Sequence, residues 1–337
     1  MTPFHPFFRN AHLATIAGNY WRRNLDPQRF PVSERLFETE PGVRVLVHSQ
    51  MPEAEARAHA IIVHGLEGSS AAGYACSLAQ AMLVAGCAAH RFNMRSCGGT
   101  EQYSGAGLYH SGQTGDLREV IRQLRILDDK PFIIIGFSLG GNVVLKLAGE
   151  LGDGAPEEGI AGAVAVSAPI DLSACVLQLH RPANRLYANR FLKRLKERIR
   201  AKERLWPGLF PLERLGEVRT IWDFDDIFTA PAFGFGTAAN YYATQSSGQY
   251  LERIRIPALL VQAKDDPLIP FGVFDLPAFG RNPRLRMVAT EHGGHIGFLS
   301  RRNPRFWVDG VIVEWMAGVL EQAPAEIRSF QQGPHLP

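Results

Sequence analysis

Ser138 stands in Gly136-Phe137-Ser138-Leu139-Gly140, a GxSxG spacing. A serine hydroxyl is a poor nucleophile until a base withdraws its proton. The motif directly follows the apolar run FIII and leads into NVVLKLAGEL. A strand, a sharp turn and a helix is the context in which such a serine is held, strained and exposed, at the end of a sheet. Without that context the same residues are only a tight turn. The base should be a histidine after the last strand and its orienter an acid after an earlier one. ALLVQAK ends in Asp265-Asp266-Pro267-Leu268-Ile269-Pro270, and LRMVAT ends in Glu291-His292-Gly293-Gly294-His295-Ile296-Gly297-Phe298. We assign Asp266 because the loop reads Asp-x-x-x-Pro from it; Asp265 is the alternative, otherwise a cap of the same turn. We assign His295 because Gly-Gly before it allows a tight approach to the serine and an apolar run follows to anchor it. His292 is the alternative, otherwise a hydrogen-bonding member of the loop.

Acyl transfer also needs donors for the developing oxyanion, and losing one can add about 3 kcal/mol to the barrier. The N–H after the nucleophile, that of Leu139, is one candidate. The second should come from the loop after an early strand. Ile61-Ile62-Val63-His64-Gly65-Leu66-Glu67-Gly68-Ser69 fits, which points to the Leu66 N–H. His64, at a strand end before glycine, reads as a brace for that loop. A zinc site on His292 and His295 is disfavoured, since no HExxH helix is present and the cysteines are scattered. No metal or cofactor is expected.

These residues need a sheet to bring them together. β-rich runs occur at 43–48, 60–64, 88–93, 132–137, 162–167, 258–263 and 285–290, and several are continuously apolar, as strands buried on both faces are. Helical stretches at 74–85, 116–127, 140–151 and 304–320 alternate with them. The order implies an α/β fold, a mostly parallel sheet covered by helices. The alternation breaks from about 171 to 247. That span is too long for a bare loop, and its 184–204 portion has helical apolar spacing. We read residues 1–30 as an N-terminal arm, 31–170 with 248–337 as the core, and 171–247 as an inserted helical cap over the strands' carboxyl ends.

Composition narrows the class. The chain has 337 residues, 46% apolar and 20% charged, which excludes a disordered chain. No apolar stretch approaches the 18 or so residues that span a bilayer, and the N-terminus has no secretion pattern. A net charge of +3 argues no nucleic-acid partner. Four cysteines without a CxxC pair read as reduced thiols of a cytoplasmic protein.

With HGLEGS, GFSLGGN, AKDDP and EHGGHIGF in place, the sequence resembles the YheT-like branch of the α/β-hydrolases. RNAHLAT, YHSGQTGD over 109–116, SAPIDL and FDDIFTA extend the likeness over nearly the whole chain. The resemblance implies the α/β-hydrolase fold and a serine carboxylic-ester hydrolase with Ser138, Asp266 and His295 as its charge-relay residues. It leaves the substrate open, because the branch includes esterase, phospholipase and acyltransferase activities. Two departures stand out: HLAT where the family has HLQT, and no apolar stretch for the N-terminal anchor of animal members.

The expected partner is a small-molecule or lipid ester, with short- to medium-chain acyl groups. From Arg181 to Arg219 there are twelve Lys/Arg and four Glu, a local balance of +8. That is either a solvated helix face or an attraction to anionic substrate or, weakly, to an anionic membrane surface. Eight aromatics from Trp222 to Tyr250 either line an acyl pocket or form the cap's own core. Asp223, Asp225 and Asp226 resemble no calcium loop. Alternatives to hydrolysis are alcohol acyl transfer on the same machinery and ligand binding without turnover. The oligomeric state is not legible.

Overall fold

The computed structural model describes residues 2–23 and 25–322, so the stretch 323–337 assigned above to the core lies outside the described residues. The strands are β1 (Ser33–Glu40), β2 (Val43–Gln50), β3 (His59–Val63), β4 (Ala88–Phe92), β5 (Phe132–Phe137), β6 (Ile160–Val166), β7 (Ala258–Ala263) and β8 (Leu285–Thr290). They form one sheet in the order β1-β2-β4-β3-β5-β6-β7-β8. β2 runs antiparallel to both neighbours and every other pairing is parallel. The runs read from the sequence are β2 to β8. β1 has no apolar alternation to read: it is an edge strand and only Phe37 in SERLFETE is buried.

β3, β5, β6 and β7 are buried at every position. Alternate side chains serve opposite faces, as the two-residue period of a strand requires. Ile61, Val63, Phe132 and Ile134 join one core with Leu117, Val120, Val143 and Val144. Those partners come from α3 (Gly115–Leu127) and α4 (Leu139–Leu151). Ile62, Ile133, Ile135 and Phe137 join another with Leu78 and Met82 of α2 (Gly73–Val84) and with Val308, Val311 and Ile312 of the helix Trp307–Gln322. The sheet is thus sandwiched, and its parallel strands deliver their carboxyl ends to one rim.

Between β6 and β7, residues 171–247 contain no strand. This span begins with α5 (Leu172–Leu179) and the 21-residue α6 (Arg185–Leu205). Leu195 and Ile199 of α6 pack with Leu215, Val218, Phe224 and Phe228 in a separate small core. Tyr241 and Tyr242 pack into the main core instead. The aromatic excess is therefore packing, and none of the eight aromatics lines the cavity over Ser138. The three aspartates are spent internally too. Asp223 accepts from Arg219 and Thr220 N–H, Asp225 from Thr229 and Tyr242 hydroxyls, and Asp226 from Ala238 N–H.

Candidate active site

Ser138 ends β5 on a backbone of φ 52°, ψ −123°, a region L-residues rarely adopt. The strain is held from both sides. The Ser138 N–H donates to the Val166 carbonyl (2.8 Å), extending the β5–β6 ladder, and its own carbonyl accepts from Gly141 N–H (2.7 Å) as α4 begins. Only glycine fits beside it: a Cβ at Gly136 would overlap the Gly140 carbonyl, and one at Gly140 the Val63 carbonyl. Positive φ at non-glycine residues recurs at Glu67, Ser167, Ile296 and Phe298 in the surrounding loops. Strain of this kind persists only where packing over-determines it.

The loops after β7 and β8 meet at the serine. His295 Nε2 lies 3.0 Å from Ser138 Oγ, and its Nδ1 lies 2.9 Å from Asp266 Oδ2. Asp266 is buried and held in place by donors: Leu268 N–H (2.8 Å) and Ile269 N–H (3.1 Å) at Oδ1, and Gln262 Nε2 (3.2 Å) at Oδ2. A second pair lies alongside. His292 Nδ1 is 3.2 Å from Asp265 Oδ2, while Asp265 Oδ1 accepts from Gly294 N–H (2.9 Å). Of the residues weighed at each loop, the structure brings Asp266 and His295 to Ser138, and spends Asp265 and His292 on the turn that carries His295.

The β3 loop supplies the other wall. A Cβ on Gly65 would stand 3.0 Å from Ser138 Cβ, so this backbone runs against that serine. The N–H groups of Leu66 and Leu139 donate to no protein acceptor among the described residues. His64 is fully buried beneath the loop; its Nδ1–H donates to the Gly65 carbonyl (2.7 Å) and its Nε2 accepts from Met94 N–H (3.2 Å). Burial pushes its pKa down to about 4, so it is a neutral brace at neutral pH.

Two supports of the site carry no local signature in the sequence. The first is α1 (Ala11–Tyr20), inside the segment read as an arm. Thr15 Oγ1 donates to the Ala11 carbonyl (2.7 Å) and accepts the His295 N–H (2.8 Å). The glycines of GGHIG serve this contact: a Cβ on Gly294 would come within 2.6 Å of Thr15 Oγ1, and one on Gly297 within 2.6 Å of the Ala14 carbonyl. Gly294 thus admits α1, where the sequence suggested an approach to the serine. The second is a clamp from α6. Arg198 grips the Glu67 carboxylate with two 2.8 Å bonds, Arg194 donates to the Glu67 carbonyl (3.0 Å), and Tyr109 donates to Glu67 Oε1 (2.9 Å). Glu67 is buried, so this pairing fixes the loop that carries Leu66. Burial, and then the Glu67 carboxylate, raise the Tyr109 phenol's pKa, keeping it a donor.

Over Ser138 and His295 lies a cavity of about 730 Å³. Ser138, His295, Leu66 and Leu268 form its floor; α1 contributes Ile16 and Tyr20, and α6 contributes Phe191 and a row of arginines.

A seven-to-one parallel sheet, a strained serine at the end of its fifth strand and an acid–imidazole pair on its last two loops define a class of protein. The model of the alpha/beta hydrolase fold matches residues 59–301, and the chain belongs to that family. Its relatives include YheT of Escherichia coli K12, 34% identical over 93% of this chain and 92% of that protein, which places it in the YheT-like branch. Phospholipase ABHD3 of Mus musculus is 28% identical, over 80% of this chain and 66% of that protein. The monoacylglycerol lipase of Saccharomyces cerevisiae is 28% identical, over 85% of this chain and 66% of that protein. Among solved structures, Pyrococcus furiosus esterase Pf2001 superposes with a TM-score of 0.58 at 18% identity, covering 88% of this chain and 96% of that one, a likeness of fold.

Proposed function

We propose that this α/β-hydrolase cleaves carboxylic esters through an acyl-enzyme formed on Ser138. His295 takes the serine proton at Nε2 as Oγ attacks the ester carbonyl, then returns it to the departing alcohol. Asp266 fixes the imidazole tautomer and stabilises the imidazolium that forms. The Leu66 and Leu139 N–H groups receive the developing oxyanion. Water activated by the same imidazole then releases the acid. The observation that carries the reading is the continuous chain from Asp266 through His295 to Ser138 at 2.9 and 3.0 Å.

The substrate class we propose is a short- to medium-chain or lipid-like ester. The cavity volume and its apolar residues Ile16, Phe191 and Leu268 support it, as do the phospholipase and lipase relatives. A reducing compartment, the cytoplasm, is the proposed location, supported by four unpaired cysteines of which three are buried. The test is a fluorophosphonate probe with a short p-nitrophenyl ester. Labelling and turnover are expected in the wild type and in neither assay for Ser138→Ala; unchanged turnover in that variant refutes the mechanism.

A further inference from the structure

α6 turns one face to the cavity. The cavity-facing residues include Arg190, Arg194, Arg198 and Arg204, with Glu197 among them. Positions four apart stack on one side of a helix, and like charges there repel. Arg190, Arg194 and Arg198 are such a row. Arg190 and Arg194 are exposed to the cavity's solvent, and neither meets a carboxylate among the described residues. Arg198 alone is neutralised, by Glu67. Arg194 bonds the neutral Glu67 carbonyl. Arg190 bonds the Tyr20 hydroxyl (2.7 Å) and lies over its ring. Arg204 makes no ion pair among the described residues. The cavity's other carboxylates each face a different cation: Glu101 lies 3.9 Å from Arg198 Nη1 and Glu197 3.9 Å from Lys193 Nζ. The cavity wall thus carries four arginines against three carboxylates, and Arg190, Arg194 and Arg204, which are exposed to solvent, have no carboxylate partner among the described residues.

We infer that the cavity selects esters carrying an anionic oxyacid group, a phosphate or a carboxylate, which Arg190 and Arg194 hold while Ser138 attacks the ester carbonyl. This rests on the reading of Ser138 as the nucleophile. Guanidinium is suited to the task, since its planar fork matches oxyacid geometry and its charge persists at all working pH. Both side chains are already tethered by one neutral bond each, so less rotamer entropy is lost when the anion arrives. Four of the twelve basic residues between Arg181 and Arg219 line the cavity, and this part of the cap's charge faces a small anionic group.

The test compares matched esters. 1-Octanoylglycerol 3-phosphate against 1-octanoylglycerol reads a phosphate on the alcohol side. The mono-p-nitrophenyl ester of adipate against p-nitrophenyl hexanoate reads a carboxylate on the acyl side. In one arm the anionic member should have a kcat/KM about tenfold higher, carried by KM, and the advantage should shrink as salt is raised. Arg190→Gln with Arg194→Gln should bring the ratio close to one, and the double lysine variant should restore much of it. Binding of the same pairs to Ser138→Ala, measured by calorimetry, reads the preference without turnover. A ratio near one in both arms, or a preference unchanged in the glutamine variant, overturns the anion subsite. Absence of labelling and turnover with the anion preference intact in binding would overturn the nucleophile instead.

Discussion

Two aspartate–histidine pairs lie side by side on the loops after β7 and β8, built from neighbouring residues. Asp266–His295 closes at 2.9 Å with side-chain exposures of 0% and 8%; Asp265–His292 closes at 3.2 Å with 21% and 36%. The chemistry of the two pairs is the same, so surroundings separate them. Asp266 has donors on both oxygens and His295 has the serine at its second nitrogen. Asp265 spends one oxygen on Gly294 N–H, and His292 is partly exposed with no serine at its second nitrogen among the described residues. A carboxylate and an imidazole make a catalytic pair only where the far nitrogen meets a nucleophile and the near oxygen is fixed.

Exchanging the pairs' members should break the symmetry most visibly. Ser138→Ala and His295→Ala should each lower kcat by about 10⁵- to 10⁶-fold, the scale found when a member of such a triad is removed. His292→Ala should lower it by less than about tenfold, because only the hold on the turn is lost. Steady-state rates on one p-nitrophenyl ester decide the matter, and equal losses for the two histidines would erase the distinction drawn here.

The acids give a finer test. Asp266→Asn keeps the shape but offers a donor where His295 Nδ1–H needs an acceptor, and the wrong tautomer costs about 10⁴-fold in kcat. Asp265→Asn should cost about tenfold or less, since its amide oxygen can still accept from Gly294 N–H. If Asp265→Asn proved the more damaging, the outer pair would be the orienting one.

How far this was readable beforehand follows the range of the signals. Ser138, Asp266 and His295 stand out in the sequence because each is a reactive residue type at the end of an apolar run, a purely local pattern, and the structure brings their side chains within 3.0 Å of one another in a chain. The strands β2 to β8 and helices α2 to α4 were readable for the same reason. Leu66 rested on one glycine-bearing loop. Thr15 has no such signal: it touches His295 from 280 positions away, and a threonine in the middle of a short helix has many bland uses. Gly294 and Gly297 marked a close approach, but not whose. The Glu67–Arg198 clamp joins two charged residues 131 positions apart, each ordinary in its own segment. β1 was lost because an edge strand with one buried side chain has no period to detect.

Thr15 sharpens the comparison at a smaller scale, since it anchors the backbone of the inner histidine and not of the outer one. Thr15→Val keeps the volume and strands the His295 N–H, a buried donor. A displacement of the imidazole by a fraction of an ångström should lower kcat by about tenfold with KM little changed. Thr15→Ser should restore most of it. A loss of stability with kcat intact would make Thr15 a packing residue only.

His64 acts on stability and not on rate, a contrast with both pairs, since no carboxylate stands at either of its ring nitrogens. Burial holds its pKa to about 4, against 6.5 in the unfolded chain. Between those values the unfolded state binds a proton that the folded state refuses. Its contribution is therefore present above pH 6.5 and is lost as pH falls toward 4. Between pH 7 and pH 5 this single group removes about 2 kcal/mol. His90 and His110, both pushed down to about 3 chiefly by burial, act in the same direction. Urea unfolding at the two pH values should show the drop, and His64→Gln, whose amide oxygen can accept from Met94 N–H, should show a drop smaller by about that amount. The substituted protein would be less stable at pH 7 yet less sensitive to acid. An unchanged pH dependence in His64→Gln would mean that the imidazole under the Leu66 loop takes up its proton as readily in the fold as in the unfolded chain, and the neutral brace would be refuted.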